Sequence, residues 1–524
     1  MFKSNYHIIY NDITVDNISY FIINYYLNKK KNIPLRQLFS HLEGIVVSPT
    51  ITTLSKNGIL DTIINKRSVS LNDLSNNDNI QIGYLNVALG TLASLGILKK
   101  EITEQDIFFD LTDYGEEFLN SIASYEFYNK INTSLNDFIA NDIRAKDFQV
   151  FFKIINNNIE QQLSNLKKLH STNSSLQRRI AHHIEGIMLY PLIIWVSHNQ
   201  KSGDLIDKPK KIIKKIISQD SKIKTQEICD YLISKSKSYG VTASYQPIFS
   251  NLDKIIFNNK NLIYDRKIDE KEIHVNRRLN VWGSGGAHKT YFKKIDKIII
   301  DIFNRPIELQ PLGIADMGCG DGMFLEHLYN IITNQTIRGK HLDEYPLTLI
   351  GADLNQEALD VANKNLSSSN IDCNFLIADI SNPKKYKEDL KSKFNVDIKD
   401  FFHVRSFLDH NRIYKDCKEI NKIKFDTMCS YSYKGKYISS KQIISNLINH
   451  LNGWKESINK HGLLLLELHG ICPKLSTSNK CLTPTIAYEA THGYSDQFIV
   501  EYEIFLKCAQ LAGLNKISKY SKVF

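Results

Sequence analysis

The sequence predicts an α/β chain: a parallel-sheet domain of the doubly wound kind in its C-terminal half, behind a mostly α-helical region. Three observations predict it. Residues 314–322 read IADMGCGDG, an apolar run, an acid and three glycines, the pattern of a buried strand that turns sharply into a helix around a nucleotide. Two later apolar runs, LIGADLN at 349–355 and CNFLIADI at 373–380, each end in an acid, Asp353 and Asp379. Before residue 276 the apolar residues recur instead mostly with helical spacing.

The 524 residues leave room for roughly three or four domains. Changes in texture divide them at 1–130, 131–275 and 276–524. Apolar residues make up 42% and charged residues 23%, the balance of a folded, soluble protein. A formal charge of +10 suits an acidic partner, but scattered lysines read first as a solvated surface. The eight cysteines form no CxxC pair, so reduced thiols and a cytoplasmic location are expected. The N-terminus lacks the pattern of a secretion signal, and the run IMLYPLIIWV at 187–196 falls short of a membrane span.

Within the first stretch, residues 83–98 (GYLNVALGTLASLGIL) predict an apolar helix, and IFFDLTDYGEEFL at 107–119 completes a winged-helix-like order. The helix carries no Arg or Lys for phosphates or base edges, so burial in a dimer or domain interface is preferred to DNA binding. Residues 131–275 read as a helical lid or connector. The adjacent His182 and His183 cannot face one metal from one helix.

Residues 276–292, NRRLNVWGSGGAHKTYF, break the lysine-rich texture. Gly283, Gly285 and Gly286 would let a backbone approach a ligand, and Trp282, Arg277, Arg278, His288 and Tyr291 favour a ligand-contacting loop over a flexible linker. An amphipathic helix over 291–303 follows. After the strand that ends in Asp316, the turn Gly318, Gly320 and Gly322 can wrap an adenosine-bearing cofactor. Asp353, followed by Leu354, is placed to hold ribose hydroxyls, and Asp379 and Ile380 lie where adenine is expected.

These motifs resemble the class I S-adenosylmethionine-dependent methyltransferases more than the dehydrogenases, over roughly residues 312–524. The resemblance implies a Rossmann-like sheet whose glycine turn holds the methionine and ribose of the cofactor. Residues 334–345 look like an inserted loop, and the chain stops soon after its last helix, so the family's terminal antiparallel hairpin is expected to be short, missing or replaced.

Polar groups gather downstream. DFFHVRSFLDHNR at 400–412 places His403, Arg405, Asp409 and His410 after a fourth strand. A fifth strand leads into Glu467 and His469, and TIAYEATHGYSDQFIV at 485–500 carries His492, Tyr494 and Gln497 in a loop, with Ser495 capping a following helix. Neutral imidazoles plus an oxygen donor suit a catalytic divalent metal such as Fe(II) or Mn(II).

The stretches NVWGSGGAHKTYF, HVRSFLDHNR and AYEATHGYSDQF resemble the metal-dependent C-methyltransferase domains of polyketide loading modules. The resemblance implies His469, His492 and Gln497 as ligands, with His403 or His410 able to replace one of them. It also implies a malonyl-type group on an acyl carrier protein as substrate. His403 or His410 is nominated as the base, with Tyr494 a further candidate. No nucleic acid or membrane is expected, and a homodimer is allowed. The rivals are a metal-independent O- or N-methyltransferase whose N-terminal region dimerises, and a DNA-regulatory protein that merely keeps the fold.

Overall fold

The computed structural model describes residues 33–75, 79–201, 203–220, 224–258, 262–264, 272–418, 420 and 423–521. The N-terminal segment read for a secretion signal lies outside these residues, as do the side chains of Gly286 and His288.

The helical region is built on two long helices, α1 (Ile33–Lys56) and a later partner that crosses it. After α1 come β1 (Ser68–Ser70), α2 (Ile82–Leu95), β2 (Leu98–Ile102) and β3 (Ile107–Leu111), the strands pairing antiparallel in the order β1-β3-β2. Helix, hairpin and the next short helix, Asp113–Leu119, give the winged-helix-like order. Next come α3 (Ala145–Ser171) and α4 (Ser175–His198). α4 meets α1 at two glycines: a Cβ on Gly44 would lie 2.4 Å from the His183 carbonyl oxygen, and one on Gly186 2.6 Å from the His41 Cα. With no side chains between them the backbones touch, and the long middle stretch of each helix is buried. α4 is, among the described residues, the one helix long and apolar enough to cross a membrane, yet 89% of its apolar window is covered by protein. It is a core helix, and being apolar on nearly all sides suits that place.

Residues 276–292, expected as a loop, form a helix instead. α5 (Lys237–Ser244) is followed by α6 (Arg277–Phe292), whose first turn is capped when Leu279 N donates 2.9 Å to the Asn276 side chain. Its glycines serve packing: a Cβ on Gly283 would meet Gly240 Cα of α5 at 2.8 Å, while one on Gly285 would enter open space. α6 stops at Phe292 and a separate helix runs over Asp296–Phe303, so the single helix expected over 291–303 is two.

The C-terminal region holds a five-stranded parallel sheet. Its elements are β4 (Gly313–Met317), α7 (Met323–Gln335), β5 (Thr348–Asp353), α8 (Gln356–Ser368), β6 (Asn374–Ile377), β7 (Phe401–Ser406), α9 (Ser440–Ile458) and β8 (Leu463–Leu466). The spatial order is β8-β7-β4-β5-β6, with Asp316 opposite Gly351 on one side and Val404 on the other. The order reverses between β4 and β7, which opens a crevice at the carboxyl ends of these two strands. Apolar layers cover both faces, one around Leu325, Leu328 and Phe402, the other around Trp454, Tyr386 and Phe401. The stretch expected as an inserted loop is pinned by the buried Arg338, which donates to the carbonyls of Leu312, Tyr345 and Pro346. Among the described residues no antiparallel hairpin joins this sheet; α10 (Thr485–Tyr494) and α11 (Tyr502–Leu511) follow β8, with one parallel bridge between Gly470 and Glu501.

α10 belongs to the C-terminal region by sequence and to the helical region by packing. Ile486, Ala487, Ala490 and Tyr494 join the core formed by residues from Leu38 to Leu279. α2 lies against it, its residues from Gly83 to Leu95 all buried, so the apolar helix fills an internal interface.

The α1–α4 crossing yields a direct expectation. Gly186→Ala presses a methyl onto backbone and should lower unfolding stability by about 1–3 kcal/mol, whereas Gly285→Ala, which points into open space, should leave it unchanged or slightly raised. Denaturant unfolding of both variants checks this.

Candidate active site

The turn after β4 opens the site. Gly318, Gly320 and Gly322 adopt positive φ of 79°, 55° and 78°, the left-handed region that glycine enters without penalty. Gly318 N and Cys319 N both donate to the Ala352 carbonyl, at 2.7 and 3.0 Å. Gly320 N donates to Asp353 Oδ2 at 3.1 Å, and the other oxygen of that carboxylate accepts from Asn355 N at 3.0 Å. A Cβ on Gly320 would touch nothing within 4 Å, so the loop faces an open crevice. Asp316 lies beneath it, buried, with Oδ1 lacking a partner. Burial, and then the charge of Asp353, push its carboxyl up to about 8. That shift favours the proton-bearing form of Asp316 at neutral pH.

Leu354, 65% exposed, extends an apolar side chain at the strand end. Asp379 receives Ser381 N at 2.7 Å, and the buried Ile380 gives its carbonyl to Trp454 Nε1 at 2.9 Å. An open glycine turn, an unpartnered buried acid and an exposed leucine along one sheet edge fit an adenosyl cofactor.

At the end of β7 the chain bends sharply. Phe407 sits at φ 56°, and Arg405 Nη1 donates 2.8 Å to Asp409, which also accepts from His450 Nε2 at 2.9 Å. The guanidinium beside Asp409 holds its carboxyl well below the usual range, against the opposing effect of burial. This buried pair fixes the turn carrying His410. His410 then gives its backbone N–H and Nδ1 to Glu467, at 3.2 and 2.6 Å.

Opposite lies α10. Its predicted loop is a helix that ends where Ser495 Oγ donates back to the Thr491 carbonyl and Asp496 turns left-handed. Ser495 therefore closes this helix and starts none. His492 Nδ1 donates to the Tyr488 carbonyl at 2.6 Å. Its ring centre is 4.9 Å from that of His410, at 84°. In each ring Nδ1 is committed to an oxygen, which leaves Nε2 as the ring nitrogen able to meet a metal. Two imidazoles bound at about 2.1 Å to one ion have ring centres about 4.5–5.3 Å apart. The observed spacing falls in that range.

Gln497 N donates to the His492 carbonyl at 2.9 Å, and its side-chain Nε2 donates to Tyr245 at 3.0 Å. Oε1 is the atom left for a cation. A small cavity lined by Gly90, Ser94, Glu489, His492 and Gln497 adjoins this group. Burial, helped by His410, drives His492 down to about 3, which keeps its imidazole neutral.

The other nominated residues make different contacts. His469 stands with its ring edge-on to Tyr502 and Phe505 and Nδ1 3.4 Å from the Val500 carbonyl. His403 is buried in mid-strand, bonded through Nε2 to the Ile398 carbonyl and edge-on to Trp454, and burial lowers it to about 4. Tyr494 is fully buried and pairs with Thr50 of α1 at 3.1 Å. Gly283 and Gly285 stand on α6 rather than on a loop. Tyr245, from the stretch that yielded least in sequence, is the added contact; its SYQPIF setting carried no signal beyond an aromatic at a helix junction.

The buried histidines set an acid limit. In the unfolded chain an imidazole takes its proton near pH 6.5, so His403 and His492 favour the neutral folded state above that value. As pH falls from about 6.5 towards 4 the unfolded chain gains the protons and stability drops, by up to about 1.4 kcal/mol per pH unit for each group. Denaturant unfolding at pH 7, 6 and 5 should show the loss, and His403→Gln should reduce its slope.

Two parts of the chain match known protein families. Residues 272–524 match the AprA MT2-like domain, and residues 34–100 match the AprA N-terminal domain. No curated protein matches the chain. The first match covers the parallel sheet, the glycine turn and both imidazoles; the second covers α1, α2 and the start of the winged-helix-like unit. The chain belongs to the AprA-type polyketide synthase methyltransferases, and its C-terminal region is an S-adenosylmethionine-dependent methyltransferase domain.

Proposed function

We propose that the protein is a metal-dependent C-methyltransferase that methylates the α carbon of a malonyl-type acyl group carried by an acyl carrier protein. One observation carries the reading: His410 and His492, each with Nδ1 tied to an oxygen, have ring centres 4.9 Å apart beside Gln497. That donor set, two imidazoles with Nδ1 committed and a carbonyl oxygen with positions left open, suits Fe(II) or Mn(II). A bound divalent ion would supply Lewis-acid stabilisation of the enolate formed between two carbonyls.

The chain's own residues supply cofactor binding and ligand orientation. The Gly318–Gly322 turn and Asp353 hold the methyl donor at the sheet edge, so that an acyl carbon can lie in line with the sulfonium. Glu467 orients His410 by accepting from its Nδ1. A histidine held near pKa 3 is a poor proton acceptor at neutral pH, and His492 is therefore assigned as a ligand rather than a base. α2 and α10 line the small cavity beside His492. The AprA-type assignment supports a polyketide setting, and a net charge of +10 suits an acidic carrier.

His410→Ala, His492→Ala and Gln497→Ala should each lower bound Fe or Mn by at least tenfold and abolish methylation while retaining S-adenosylmethionine binding. His469→Ala and Tyr494→Phe should retain the metal, and Asp353→Ala should lose the cofactor. Elemental analysis and cofactor titration measure these effects. Mass spectrometry of malonyl-carrier protein incubated with enzyme, S-adenosylmethionine and Fe(II) or Mn(II) should show one or two added methyl groups. Full activity after exhaustive chelation would reject the metal-dependent reading in favour of a metal-independent O- or N-methyltransferase.

A further inference from the structure

The α1–α4 crossing buries two carboxylates, and they are compensated differently. Glu43 accepts from Arg179 Nε at 2.9 Å and contacts His183 Nε2 at 3.2 Å, so a fixed guanidinium balances it. Glu185, also fully buried, is bonded to three imidazoles and an amide: His170 Nε2 at 2.8 Å, His182 Nδ1 at 2.7 Å, His41 Nε2 at 3.4 Å and Gln37 Nε2 at 3.0 Å. A buried anion requires a positive charge beside it. Around Glu185 that charge must be a proton on an imidazole or a metal ion among them.

We propose that His41, His182 and Glu185, with His170 as fourth side chain, hold a structural divalent transition-metal ion, zinc by its donor set, separate from the crevice at His410 and His492. The ligand atoms of His41, His182 and Glu185 all lie within 4.8 Å of one another. Bonds of about 2.0–2.2 Å around a tetrahedral zinc place neighbouring ligand atoms about 3.3 Å apart. Glu185 Oε2 is 3.4 Å from His41 Nε2 and 2.7 Å from His182 Nδ1, so the second pair needs to open by about half an ångström to reach that spacing. His41 Nδ1 faces the Tyr239 hydroxyl at 2.8 Å, the outer hydrogen bond that commonly fixes a ligating imidazole.

Two further observations bear on the site. His170 presents Nε2 to Glu185, while its other ring nitrogen, Nδ1, is buried without a partner on the far side of the ring. His170, His182 and Asp220 form a second triad within the same spread, and the His182 side chain, 16% exposed, gives an ion a way in. The ligands come from α1, α3 and α4, so an ion here would cross-link the helices that the glycine contact brings together. Its role is to brace the helical region rather than to act on substrate.

The test uses the full chain. Anomalous scattering at the zinc edge, from wild-type crystals grown with zinc, should give a peak among His41 Nε2, His182 Nδ1 and Glu185 Oε2. Wild-type protein should carry about one equivalent of zinc that His182→Gln and Glu185→Gln lose and His492→Ala keeps, and chelation should lower the melting temperature of wild type but not of His182→Gln. Absence of an anomalous peak at Glu185, or zinc retained in full by His182→Gln, overturns the proposal and leaves a protonated imidazole as the counter-charge. Neither result bears on methylation, which is read at His492.

Discussion

The placement of α10 is the constraint on which the site depends. This helix leaves the sheet domain and buries Ile486, Ala487, Ala490 and Tyr494 in the core of the helical region. Its other side then carries Tyr488 and His492, spaced four residues apart so that the Tyr488 carbonyl meets His492 Nδ1. Apolar burial on one side thus fixes an imidazole on the other. The helical region does more than cover the crevice, because it holds one of the two facing imidazoles in position.

The second imidazole is held by charge. The chain leaving β7 must turn back at once, and the buried Arg405–Asp409 pair with His450 secures that turn. Breaking such a pair leaves an uncompensated charge in the interior, so the turn is stiff and His410 stays on Glu467. Asp316 illustrates the opposite economy. It has no cation beside it, and burial keeps it protonated near neutrality, a donor below the glycine turn where an ionised acid would be costly.

The fold was largely legible in the sequence because its signals are local. An apolar run closed by an acid predicted β4, β5 and β6 with boundaries close to those observed, and the absence of Arg or Lys on α2 pointed to its burial. Misread elements were those whose conformation depends on a distant neighbour. Residues 276–292 look like a loop because of their glycines, yet Gly283 is there so that α6 can touch Gly240 of α5. Residues 485–494 look like a loop because their polar groups face the crevice, and the core of the helical region makes them a helix.

The site divides in the same way. By itself the sequence determined a glycine turn followed by acids after successive strands, and a short list of chemistry-bearing groups, His403, His410, His469, His492, Tyr494 and Gln497. Residue type and strand order suffice for that, because the carboxyl ends of parallel strands share one edge. Only the tertiary structure decided which of them meet. His403 faces Trp454 in mid-strand, Tyr494 faces Thr50, and His410 faces His492. Tyr245, and Gln37, His41 and His170 around Glu185, converge from other segments of the chain. Such meetings depend on how helices cross and which faces they bury, and no local spacing in the chain encodes them.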